Sequence, residues 1–172
     1  MICALLIGRK KSKGFPKKNI KKILGKYLCE YSLTAAKKSK YVDKIFVSSD
    51  CPVIKKISFK KYNAILLNRP KKLTTDKALG EDVFENGYYQ IKKQLKKENK
   101  KIDILVLLFA NVATITPELI DKGVKILKKN KRFDSAVSTS VYNMWSPLRA
   151  RKLSKDGTLK PFVPFKTFGN PK

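Results

Sequence analysis

With 172 residues, 42% of them hydrophobic, and nine Phe and seven Tyr, the chain is long and apolar enough for one domain with a sizeable core, which excludes a disordered polymer. It has no histidine, so His-based triads and His metal sites are excluded, and Cys3, Cys29 and Cys51 show no CxxC spacing that would suggest a zinc site or a disulfide framework. The formal net charge of +27 would ordinarily raise nucleic-acid binding, but only Arg9, Arg69, Arg132, Arg149 and Arg151 among the 40 basic residues are arginines.

In chain order, Met1-Ile-Cys-Ala-Leu-Leu-Ile-Gly8 reads as a strand, Ile2–Gly8, buried on both faces. Leu28–Ser39 follows as a helix with Leu28, Tyr31, Ala35 and Ala36 on one side. Lys44–Ser48 is a second strand, Val53–Tyr62 a helix and Ala64–Leu67 a third strand, which ends at Asn68-Arg69-Pro70. The pattern Val83, Tyr88, Ile91 and Leu95 makes Glu81–Glu98 a long helix. Asp103–Phe109 is the most hydrophobic strand and is expected at the centre of the sheet. Thr116-Pro117-Glu118 supplies an N-cap followed by proline at the first helical position, predicting a helix to about Lys129, and Ser135–Thr139 is expected as a fifth strand. This alternation predicts an α/β fold with a mostly parallel sheet, helices on both faces, and ligands at the carboxyl ends of the strands.

After Ser140 the texture changes. Tyr142–Arg151 and Leu159–Phe168 are rich in proline and aromatics, lack a helical period, and flank a turn signal at Lys155-Asp156-Gly157. The expected division is therefore an α/β domain at 1–140 and the start of an arm at 141–172 that packs on another subunit. The chain stops at Asn170-Pro171-Lys172 without a closing helix or strand, so it reads as truncated.

The loop after Gly8 carries six cations together with Gly14 and Pro16. Glycine lets backbone N–H groups approach an anion, and Lys and Arg neutralise it, so a strand that feeds this loop suits phosphate. Neither the P-loop spacing nor GxGxxG is present: five residues separate Gly8 from Gly14, and Phe15-Pro16 follows. The competing reading is an ordinary basic surface loop. The order Arg9-x-x-Ser12-Lys13-Gly14-x-Pro16-x-Lys18-Asn19 resembles the nucleotide-binding loop of the acylneuraminate cytidylyltransferases, the enzymes that activate sialic-acid-type sugars. Arg69-Pro70, Leu73, Asp76 and Ala78 match that family's Arg-Pro-x-x-Leu-x-x-Asp-x-Ala signature. Leu107-Leu108-Phe109 leading to Asn111 takes the place of its Leu-Leu-Gln-Pro segment, and Ser146-Pro147-Leu148-Arg149 resembles the element that opens its dimer arm.

This resemblance implies a three-layer Rossmann-like nucleotidyltransferase fold with a protruding dimerisation arm, and transfer of CMP from CTP to the anomeric hydroxyl of a keto-deoxy sugar acid with release of pyrophosphate. It makes Arg9, Lys13 and Lys18 the catalytic candidates. Arg9, Ser12, Lys13, Gly14 and Lys18 would form the phosphate loop, Asn19 would close it, and Arg69 and Gly80 would lie near the nucleotide. Asn111 would face the sugar, and Arg149 would meet its carboxylate, reaching across a homodimer. The Mg²⁺ used by the family is expected on carboxylates beyond the end of this chain, with no metal ligand within it.

Three departures from the family pattern stand out. Lys11 occupies a position usually held by Gly or Asn, consistent with positive φ. Asn111-Val-Ala-Thr replaces Gln-Pro-Thr-Ser, and the metal carboxylates are missing. Blander readings accompany each site. Arg69 and Asp76 could form a surface ion pair, Asn111 could be a turn residue, Lys10, Lys11 and Lys17 could be solvated, and Cys51 could merely start a helix. The functional alternatives are a catalytically silent nucleotide-binding or interaction protein and, from the charge alone, a basic nucleic-acid-associated protein. Against the latter, the lysines fall as pairs on predicted helix faces, such as Lys55-Lys56 and Lys92-Lys93, without the Arg forks or interleaved aromatics of nucleic-acid readers. Loose, salt-sensitive polyanion binding is still expected. The run Met1–Gly8 is too short to span a bilayer and lacks a basic region before it, so no membrane association is expected and the default location is cytoplasmic.

Overall fold

A computed structural model describes residues 1–11, 15–139 and 151–163. They fall into two compact units, Met1–Val137 and a smaller one within Ser138–Lys172.

The first unit is built on β1 (Ile2–Gly8), whose seven residues are all buried. A short antiparallel hairpin, β2 (Lys22–Ile23) and β3 (Lys26–Tyr27), precedes helix α1 (Leu28–Lys38). There follow β4 (Lys44–Ser49), α2 (Pro52–Tyr62), β5 (Ile65–Leu67), α3 (Gly80–Lys97), β6 (Ile104–Phe109) and α4 (Pro117–Lys129). The sheet is parallel, in the order β5-β4-β1-β6, with Leu5 opposite Phe46 on one side and Leu107 on the other.

Strand alternation divides β1 between two cores. Ile2, Ala4 and Leu6 pack with Leu33 of α1, Ile54 of α2 and Ile120 and Val124 of α4. Cys3, Leu5 and Ile7 pack with Phe46, Leu67 and the Val83, Ile91 and Leu95 stripe of α3. Helices therefore cover both faces, and the expected three-layer α/β arrangement is present. Gly87 lets α3 settle against the buried Leu5 side chain, which a Cβ there would meet. Among the described residues no helix is long and apolar enough to cross a membrane.

Local chemistry explains the helix ends. The hydroxyl of Thr116 accepts from the Leu119 amide and Pro117 opens α4, as the sequence predicts. Pro52 opens α2 after Cys51, a buried helix-start residue, and Asn63 closes it at φ 51°. In α1 the buried Glu30 reaches back to accept from the Tyr27 amide at 3.0 Å and pairs with Lys61 Nζ at 2.9 Å. Burial raises the Glu30 pKa, but the bonds from Lys61, the Tyr27 amide and Tyr62 outweigh it and hold the carboxyl below its ordinary value.

Two expectations fail. The strand at 103–109 is not central: β6 is the edge of the described sheet, with Leu107 and Phe109 exposed at 48% and 45%, and β1 holds the centre. Hydrophobic content alone could not rank the two strands. What sets them apart is that β1 is covered on both faces along its whole length, whereas β6 buries only Leu108. Residues 135–139 form no strand and are exposed, leaving the outer edge of β6 without a partner among the described residues. With Ala136 and Val137 as its only apolar side chains, that segment has little surface to bury in return for being ordered.

In the second unit, β7 (Arg151–Leu153) pairs antiparallel with β8 (Leu159–Pro161). The predicted turn between them is present: Gly157 sits at φ 79°, and Asp156 Oδ1 accepts from both the amide and the hydroxyl of Thr158.

Two stability measurements follow. A Cβ added at Gly8 would lie 2.6 Å from the Ala110 Cβ and 3.1 Å from Ile54 Cδ1. Because the Ala110 Cβ is fixed to its backbone, Gly8→Ala should cost about 1–3 kcal/mol in urea unfolding. Glu30→Ala should cost about 1–3 kcal/mol at neutral pH. Because the folded-state Glu30 pKa lies below its ordinary 4.5, its contribution is present above that value and is lost as pH falls through the folded pKa, so the gap between wild type and Glu30→Ala should close on acidification below about 4.5.

Candidate functional site

The parallel sheet brings four loops together at its carboxyl edge. β1 ends at Gly8, where the absence of a side chain lets the strand end pack close to Ala110 after β6. The chain leaving β1 is tied down twice: the Lys10 amide donates to Asp50 Oδ1 at 2.8 Å, and the Arg9 carbonyl accepts from Asn19 Nδ2 at 3.0 Å. Asn19 is buried in the short 3₁₀ turn Lys18–Ile20 and closes the loop back onto its own beginning, its Oδ1 having no partner among the described residues. Lys18, in the same turn, is partly exposed.

Arg9 faces the segment that joins β5 to α3. Its Nη1 donates to the Thr75 carbonyl at 3.1 Å and forms an ion pair with Asp76 Oδ1 at 2.8 Å. Arg69 is committed differently. Its Nε and Nη2 donate to the Leu73 carbonyl at 2.9 and 2.7 Å, and Nη1 reaches the Ser48 carbonyl at 3.4 Å. It thus clamps the 3₁₀ turn Lys71–Thr74 onto the end of β4. Burial is the main cause that lowers the Arg69 pKa, Asp50 opposes it, and the charge of Arg9 adds to the lowering. The two guanidinium groups are therefore electrostatic neighbours, with Asp50 close by.

Gly80 begins α3, and a Cβ there would touch Phe109 and Ile7, so this helix start lies over the ends of β1 and β6. Asn111 is exposed in the turn after β6. That turn is anchored from beneath by Ser32 of α1, fully buried, whose hydroxyl donates to the carbonyls of Phe109 and Val112 at 2.8 and 3.1 Å.

Of the residues singled out from the sequence, Arg9, Lys18, Asn19, Arg69, Gly80 and Asn111 lie on these converging loops, whereas Ser12, Lys13, Gly14 and Arg149 fall outside the described residues. Two expectations are corrected. Asp76 pairs with Arg9, not with Arg69, because the Arg69 guanidinium is already engaged by carbonyls. Among the described non-glycine residues positive φ occurs at Lys17, Leu24, Asn63 and Asn99, so Lys11 is not left-handed, and among the described residues of this loop Lys17 is. Lys10, Lys11 and Lys17 are exposed. Sequence reasoning missed Ser32 and Asp50 as residues that hold the loops, since a serine within a helix or an aspartate at a strand end carries no pattern that names its partner.

Among the described residues the donor set does not fit a divalent cation. Among the described residues no group of three or more Cys, Asp or Glu is arranged for one. Of the cleft carboxylates, Asp76 faces Arg9 and Asp50 accepts from the Lys10 amide.

A family model described as cytidylyltransferase matches residues 3–155. The chain is 30% identical over 151 residues to a Helicobacter pylori protein named pseudaminic acid cytidylyltransferase and UDP-2,4-diacetamido-2,4,6-trideoxy-beta-L-altropyranose hydrolase, covering 87% of this chain and 28% of that protein. It is 27% identical over 128 residues to an N-acylneuraminate cytidylyltransferase of Oncorhynchus mykiss, covering 74% of this chain and 28% of the relative. The chain thus spans under a third of the length of these curated relatives. Among solved structures, CMP:2-keto-3-deoxy-manno-octonic acid synthetase complexed with CTP shares the fold with a TM-score of 0.57 at 16% identity, covering 76% of this chain and 48% of that one. A cytidylyltransferase from Leptospira borgpetersenii does so with a TM-score of 0.53 at 19% identity, covering 76% and 50%. By its match over residues 3–155, carried on a parallel sheet whose strand ends gather the loops described above, the chain belongs to the cytidylyltransferase family.

Proposed function

We propose that the chain binds CTP at the carboxyl end of β1 and transfers CMP to the anomeric hydroxyl of a keto-deoxy sugar acid of the sialic-acid type, releasing pyrophosphate. The observation that carries this reading is Arg9: a guanidinium presented directly after the central strand, on a loop that Asn19 and Asp50 hold in place. The names of the relatives, which include pseudaminic acid and N-acylneuraminate cytidylyltransferases, support the substrate class.

In this reading Arg9, Ser12, Lys13 and Lys18 gather the triphosphate and offset charge that grows on the departing pyrophosphate, with Gly14 giving the backbone close access. Asn19 sets the loop. Arg69 acts through the loops it clamps, since its nitrogens are taken up by carbonyls. Gly80 keeps the start of α3 clear above the nucleotide. Asn111 faces the sugar from a turn that Ser32 fixes, and Arg149 meets the sugar carboxylate across a homodimer. The family's Mg²⁺ would neutralise phosphate charge, but the described residues do not form its site and no step here depends on it.

The test is calorimetric titration with CTP, followed by a pyrophosphate-release assay with Mg²⁺ and a panel of keto-deoxy acids. Saturable CTP binding, weakened about ten- to a hundredfold in Arg9→Ala as expected for a charge-assisted contact, together with turnover on one of the acids, is the expected result. CTP binding without turnover on any acid would point to a nucleotide-binding protein. Binding of single or double strands that survives physiological salt, with no response to CTP, would overturn the proposal.

A further inference from the structure

The cation on which the proposed function depends is already paired with a carboxylate of the same cleft. Arg9 and Asp76 meet at 2.8 Å from two separate segments, and Thr75 adds its carbonyl to the same Nη1, while Nε and Nη2 of Arg9 make no hydrogen bond to a described residue. Arg69 cannot take over as the phosphate cation without giving up the carbonyls of Leu73 and Ser48. The Arg9–Asp76 pair is itself weakly held: its side chains are 29% and 41% exposed, so water screens it. A polyphosphate offers Arg9 several charged oxygens and stronger charge-assisted bonds than one screened carboxylate. Were Asp76 to keep its contact with Arg9, it would lie against the incoming anion as a like charge, which disfavours binding.

We infer that Asp76 is a placeholder counter-ion, holding the anion position on Arg9 and giving way to a phosphate oxygen when a nucleoside triphosphate enters. This rests on the reading of Arg9 as a phosphate ligand. Asp76 is thereby a specificity-determining residue. A polyphosphate, with several oxygens to offer Arg9, is hindered less by this competition than a monoanion is, so Asp76 biases the cleft against monoanions and against the carboxylate of the sugar acid entering the phosphate site.

The experiment measures CTP affinity by calorimetry on the full chain in wild type, Asp76→Asn, Asp76→Glu, Arg9→Ala and the Arg9→Ala/Asp76→Asn double variant. Thermal midpoints verify that each is folded, and Asp76→Ser replaces Asp76→Asn should the latter unfold. Asp76→Asn is expected to bind CTP up to about fivefold more tightly, the upper range for release of an exposed ion pair. Asp76→Glu should show no gain. The gain should vanish when Arg9 is alanine, because the effect passes through that contact. Unchanged or weaker binding in Asp76→Asn, or an equal gain in the Arg9→Ala background, would overturn the inference while leaving the proposed function standing. A wild type that does not bind CTP would overturn both.

Discussion

Everything at the candidate site depends on the double-sided burial of β1. Its seven residues have no face left for water, so each side chain has to be matched by a helix on one side of the sheet or the other. Full burial of a Leu or Ile side chain is worth about 1.5–3 kcal/mol, and Leu5, Leu6 and Ile7 each contribute on that scale. The result is a strand fixed in register against both β4 and β6, whose last residue, Gly8, is placed by the core and not by the loop that follows.

That rigidity allows the site itself to rest on weaker interactions. Arg9 emerges at a defined point, and the loops around it are held by one or two hydrogen bonds each: Asn19 to the Arg9 carbonyl, Asp50 to the Lys10 amide, Ser32 to two carbonyls of the turn that carries Asn111. An exposed pair such as Arg9–Asp76 contributes about 0–1 kcal/mol, far below the burial terms of β1. It can be exchanged for another partner at little cost to the fold. Strong terms position the groups, and weak terms remain free to respond to a ligand. The two arginines of the cleft illustrate the division, Arg69 taken up by three contacts to backbone carbonyls and Arg9 held by one exposed carboxylate and one carbonyl.

Much of this was legible in the sequence because it is periodic or local. The alternation of buried strands and amphipathic helices, the Thr116-Pro117 helix start and the Asp156-Gly157 turn depend on neighbours in the chain, and the structure reproduces them. The hairpin of β2 and β3 escaped notice, since two-residue strands have no period and the turn at Leu24-Gly25 resembles any glycine-containing loop. Other misjudged pieces were long-range. Whether the strand at 104–109 is central depends on what lies beside it, and its hydrophobicity carries no information about that. The Arg9 that pairs with Asp76 lies 67 positions earlier in the chain, which no spacing rule specifies. The family motifs directed attention to Arg9, Arg69 and Asp76 but did not reveal that one arginine supports the loops while the other faces the carboxylate.

With a formal charge of +27, the chain will attract polyanions over much of its surface, so affinity for a triphosphate is not enough; its location decides the matter. The most direct measurement is amide chemical-shift mapping of the isotopically labelled chain titrated with CTP at physiological salt. The account predicts saturable shifts confined to residues 8–19, 48–50, 69–81 and 109–112 at the carboxyl edge of the sheet. Shifts spread over the lysine-bearing faces of α3 and α4, with the loop after β1 unmoved, would contradict it.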